Sequence, residues 1–129
     1  MHINIIAIPH NEQRYNTVGD WIFIKPRYAP ETLQVRVSDM QNKDYEFLVG
    51  IHEVIEAYLC LKRGVKEEDV TKFDVDFEAN RPENNNDEPG NDPKAPYYKE
   101  HAFATIIEHQ IADELGVDWD EYDKAVNSL

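Results

Sequence analysis

The stretch from Lys43 to Arg63 constrains the fold of this chain more than any other. Apolar residues recur through it at helical spacing, no proline interrupts it, and Gly64 follows where a left-handed cap ends a helix. Phe47, Ile51, Val54, Ile55, Tyr58 and Leu61 form an apolar stripe, with Leu48 and Leu59 along one edge. The opposite face carries Val49, Gly50, Ala57 and Cys60, small residues that suit close packing better than contact with water. Such a helix is expected to be central and buried nearly all round, so the rest of the chain must cover it from several sides.

The covering elements differ on its two sides. Before it, the sequence reads as strands: Ile3, Ile5, Ile6 and Ile8 closed by Pro9, then Trp21 to Ile24 ending before Pro26, then Leu33, Val35 and Val37 alternating with Gln34 and Arg36. Gly19 supplies backbone freedom to a turn over 16–20. With no helix-length crossover between them, antiparallel pairs are expected. After it come a short acidic helix over about 66–78, an irregular loop over 79–96 rich in proline and asparagine, a second long helix over about 97–115 and a short one opened by Asp118. The predicted fold is α+β: a small, about three-stranded, mainly antiparallel N-terminal sheet packed on two long and two short helices. With 129 residues, 1–129 is one domain, β-rich over 1–40 and helical over 43–127.

Charge narrows the function. Of 26 acidic and 13 basic side chains, residues 66–129 hold 18 acids and six bases, so nearly all of the net charge of −13 lies in the second half. A surface this negative repels phosphate backbones, and direct nucleic-acid binding is not expected. It suits metal ions or a protein partner with a basic surface; a mimic of nucleic-acid charge is a remoter reading. No apolar run nears the roughly 20 residues that span a bilayer, and no basic segment precedes the short apolar start, so neither membrane insertion nor export is expected. The single cysteine, Cys60, cannot form an internal disulfide and fits a reducing cytoplasm.

Chemistry concentrates on the long helices. His52-Glu53-Val54-Ile55-Glu56 is an H-E-x-x-E sequence, and residues four apart share a helix face, so His52 and Glu56 can offer a nitrogen and an oxygen to one divalent ion, zinc first, with iron or manganese as alternatives. Glu53 stands where the corresponding glutamate of zinc hydrolases polarises the attacking water. A buried salt-bridge network would satisfy the same residues, with Arg63 as one partner. On the second long helix, whose expected apolar face is Phe103, Ala104, Ile107, Ile111 and Leu115, His101 and Glu108 lie along one edge. Seven residues span about 10 Å of helix, so one ion does not take both. His101 is the expected third ligand, with Glu108 either holding a ligand side chain in place from behind or serving as the alternative ligand; ordinary surface groups are the competing reading. Asp74 and Asp76 read as a solvated face, and His2 and His10 show no partner.

The segments 14–21, 46–57 and 88–97, followed by His101 and Glu108, resemble small uncharacterised proteins of tailed bacteriophages and prophages. The resemblance covers nearly the whole chain and implies a bacterial host cytoplasm, with a host or phage protein as partner, but no particular activity. The H-E-x-x-E helix also resembles that of minimal zincin-type metallopeptidases, in which a small sheet precedes the motif helix. Here Glu56 replaces their usual second histidine, a departure that bears on both zinc preference and peptidase activity. Two readings follow: a metal-dependent hydrolase, or a non-enzymatic acidic interaction protein whose buried His and Glu are structural.

Overall fold

The computed structural model describes residues 1–129. Strands β1 (His2–Ile8), β2 (Gly19–Ile24) and β3 (Thr32–Ser38) form one sheet; helices α1 (Lys43–Arg63), α2 (Glu67–Ala79), α3 (Tyr98–Leu115) and α4 (Trp119–Asn127) follow. The fold is α+β, and no helix is long and apolar enough to cross a membrane.

The sheet is mixed rather than mainly antiparallel. Its order is β1-β3-β2, with β1 parallel to β3 from His2↔Thr32 to Ile8↔Ser38 and β2 antiparallel to β3 from Gly19↔Val37 to Ile24↔Thr32. No crossover helix is needed because the chain reaches β3 by way of β2: it passes from β1 to the far edge, and a hairpin then lays β3 between the two. The alternating segment is therefore the central strand. Leu33, Val35 and Val37 are fully buried on its helix side, while Gln34 and Arg36 on the other side are partly exposed. Gly19 opens β2 instead of making a turn, and its φ is not positive.

α1 runs from Lys43 to Arg63, capped by the Asn42 side chain on the Tyr45 amide and by Gly64 at φ 73°. Its orientation reverses the expectation of a helix buried nearly all round. The buried face is Leu48, Val49, Gly50, His52, Glu56, Ala57 and Cys60, while Phe47, Tyr58 and Leu61 of the apolar stripe stay 46%, 43% and 44% exposed. Small side chains let the helix approach the sheet closely, and α3 covers a second side; nothing covers the third. α3 behaves likewise: Glu100, His101, Ala104, Glu108 and Ala112 are buried, and Phe103 and Leu115 are not. The buried residues of the two helices thus include His52 and Glu56 from α1 and His101, Glu100 and Glu108 from α3.

Candidate metal centre

His52 and Glu56 stand one turn apart on the inward face of α1, and His101 meets them from the first turns of α3. His52 Nε2, Glu56 Oε2 and His101 Nδ1 converge: the Nε2–Oε2, Nδ1–Oε2 and Nε2–Nδ1 distances are 3.2, 2.9 and 3.1 Å. All three residues are buried. Three donor atoms so spaced can all lie at the ~2.0–2.2 Å of zinc bonds to nitrogen and oxygen, with the ion about 1 Å off their plane. Three protein ligands and one remaining position is the ligand count of catalytic zinc sites.

The surroundings fix which nitrogens face inward. His52 Nδ1 donates to Glu108 Oε1 at 2.8 Å, and Glu108 Oε2 accepts from the Tyr122 hydroxyl at 2.6 Å. His101 Nε2 lies 2.8 Å from Glu88 Oε2, an ion-pair contact whose N–H is not well aimed at that oxygen. Glu56 Oε1 accepts from the Trp21 indole N–H at 3.0 Å, leaving Oε2 for the two imidazoles. A carboxylate can only accept, so His52 Nδ1 carries the hydrogen, and the nearby Glu88 charge favours it on His101 Nε2 as well. In a neutral imidazole the inner nitrogen then presents a lone pair, and three electron-rich atoms meet with no donor between them. Carboxylate–histidine pairs of this kind orient metal-binding imidazoles and raise their basicity.

Without a metal, protons must close the cluster. Burial lowers the His52 pKa, but its bonds to Glu108 and Glu56 outweigh this and hold it well above 6.5. Burial opposes His101 ionisation too, yet Glu56 and Glu88 raise it to about 9. Burial raises Glu56, and the two imidazoles more than reverse this, holding it at about 2. The pH dependence follows. His101 contributes stability fully below 6.5 and loses it as pH rises through about 9; Glu56 contributes above 4.5 and loses it as pH falls through about 2. Urea unfolding of the chelated protein is therefore expected to lose stability both as pH falls below 4.5 and as it rises above 6.5; a flat profile from pH 6 to 9 would contradict the charged cluster.

The cluster opens on a cavity of about 280 Å³ that is also lined by Glu53, Asp20, Asp74 and Arg81. Glu53 makes no hydrogen bond, and burial followed by the Glu56 charge pushes its carboxyl well above the ordinary range. It fits beside β2 because Gly19 has no side chain: a Cβ there would come within 2.8 Å of Glu53 Cγ. Asp74, expected on a solvated face, is buried; it accepts from the Tyr15 hydroxyl at 2.9 Å and from that of Tyr97, and burial raises its pKa to about 7. Asp76 is exposed and pairs with Lys72, while Arg63 pairs with Glu100 and takes no part in the cluster. His10, expected to lack a partner, contacts Ser38 Oγ at 2.8 Å. His109 stacks on Trp119 at the surface.

The sequence gives no site role to Trp21 or Tyr122, and it groups Glu88 with Asp87 and Asp92 only as calcium-type carboxylates that lack the spacing of an EF-hand loop. A tryptophan in a buried strand needs an acceptor for its N–H, which is a usable signal; the other two are placed by tertiary packing alone. Glu88 arrives on the 79–96 loop, whose 3₁₀ turn Pro89–Asn91 lays Gly90 against the His101 ring. A Cβ on Gly90 would stand 2.3 Å from His101 Cγ. Gly90→Ala is thus expected to displace the ring and weaken metal binding by roughly 10–100-fold in a folded protein, measured by calorimetric zinc titration; parental affinity would show that the loop does not set the ring. No protein-family model, curated protein or solved structure matches the chain.

Proposed function

We propose that this protein binds one divalent metal ion, zinc first, through His52, Glu56 and His101, and hydrolyses a small substrate in the adjoining cavity with Glu53 as general base. The observation that carries the reading is the convergence of His52 Nε2 and His101 Nδ1 on Glu56 Oε2, with His52 turned by its Nδ1 bond to Glu108 and His101 Nε2 lying 2.8 Å from Glu88 Oε2. A zinc ion there supplies a Lewis acid beside the cavity. The chain supplies the rest. Trp21 holds the free oxygen of Glu56, Tyr122 and Glu108 hold His52, and burial beside Gly19 raises the affinity of the Glu53 carboxyl for a proton. The resemblance of H-E-x-x-E to zincin-type helices agrees in placing a glutamate next to the first ligand.

One observation favours a second reading. Both histidines have raised pKa values, so two imidazolium ions among Glu56, Glu108 and Glu88 make a closed structural network with no metal. The protein would then be a non-enzymatic acidic interaction protein, with a basic host or phage protein as partner. Zinc titration at pH 8 separates the two. The metal reading predicts saturation at one equivalent with release of protons from the imidazoles, and chelator-sensitive hydrolysis in a panel of esters, peptides and phosphoesters. The network reading predicts no saturable uptake.

A further inference from the structure

Part of the sheet face that looks toward the helices is uncovered. β1 is an edge strand, and its Ile3, Ile5 and Ala7 stand in register with Leu33, Val35 and Val37 of β3, which are buried beneath the helices. Residues in register on neighbouring strands point to the same face, so Ile3 and Ile5 also look toward the helix layer. Ile5 touches α1 at Gly50. Even so, Ile3 and Ile5 are 51% and 39% exposed, because no element lies over β1 beyond that crossing. The outward stripe of α1, with Phe47, Ile51, Tyr58 and Leu61, borders the gap and contains no charge.

The outer edge of β1 is open as well. Its sequence, His-Ile-Asn-Ile-Ile-Ala-Ile, has no proline and no lysine, arginine, aspartate or glutamate. Edge strands are ordinarily guarded against pairing by such residues. An unguarded edge that adjoins an apolar strip offers a strand-pairing site and a hydrophobic seat together.

We infer that this surface is a homodimer interface in which a second copy pairs its β1 antiparallel to β1, edge to edge. A two-fold axis perpendicular to the sheet makes the contact isologous and leaves both helix layers on the same side. The result is a continuous six-stranded sheet whose two α1 stripes close over Ile3 and Ile5 from both copies. Charge selects the occupant. The chain carries a net −13, yet the strand and stripe are uncharged, so no like charges meet across this contact and a basic partner finds no acidic group to pair with. Area agrees: five half-exposed side chains of roughly 200 Å² each put on the order of 450 Å² of apolar surface in one patch. That is more than half of the ~800 Å² per partner of a stable interface before the β1 backbone is counted. The metal cluster lies on the opposite face of α1, so the dimer does not rest on the metal reading.

Light scattering on a sizing column tests this over about 1–100 µM protein. The expected result is a mass of about 30 kDa, twice the 15.1 kDa of the chain, and about 15 kDa for Ile5→Lys/Tyr58→Glu with parental circular dichroism. Tyr58→Glu alone, on the exposed face of a formed helix, gives the same loss if the double variant folds poorly. Hydrogen exchange adds a local readout: β1 amides facing away from β3 are slow in the parent and fast in the monomeric variant. A parent that is monomeric throughout, a dimer that survives both variants, or an assembly formed only with a different protein would overturn the inference.

Discussion

Glu56→Ala is expected to abolish zinc binding and to destabilise the chelated protein by about 3–5 kcal/mol at pH 7, as removal of one member of a buried ion cluster does. Glu56 accepts from Trp21 through one oxygen and faces His52 and His101 through the other, so its loss leaves three buried polar groups without their partner. Both imidazoles lose the charge they share, leaving His52 with Glu108 alone and His101 with Glu88 alone to hold their pKa values up. Urea unfolding and a zinc titration on the same preparation measure both effects. A loss under about 1 kcal/mol, the scale of a surface pair, would mean that the cluster is not formed as described.

Glu53→Gln separates chemistry from structure. The substitution keeps the shape of the side chain and removes its capacity to take a proton. Zinc should still bind at one equivalent, while hydrolysis of any substrate found falls by about 10²–10⁴-fold, the usual contribution of a general base. Stability provides an internal check. An acid whose folded pKa is raised loses stability as pH climbs through that value, so the Gln protein should be at least as stable as the parent at pH 8. Unchanged turnover would remove Glu53 from the mechanism and leave the ligand set untouched.

Local elements were legible in the sequence because local rules decide them. Gly64 and the unbroken periodicity bound α1 at Arg63, the alternation of Leu33 to Val37 marks a one-sided strand, and Asp118 caps α4 through the Glu121 amide. The i, i+4 spacing of His52 and Glu56 likewise follows from helix geometry alone. What the sequence hid was relational. Nothing local says that β3 sits between β1 and β2, and a hairpin that reverses onto the central position looks the same in sequence as a meander. Amphipathicity pointed the wrong way for α1 because it assumes that the most apolar side meets the core, whereas this chain buries the small and ionisable side. Glu88 is the hardest case: a carboxylate in a loop of asparagine and proline gains its meaning only when Gly90 brings the loop onto His101.

The central claim is that His52, Glu56 and His101 hold a metal ion, and metal content tests it most directly. Elemental analysis of purified, tag-free protein should give about one equivalent of zinc, iron or manganese. A His52→Ala/Glu56→Ala variant, shown to be folded by circular dichroism, should give none. Parent protein that is metal-free as purified and fails to take up added zinc, iron or manganese would contradict the account and leave the cluster as a buried network of ionised side chains.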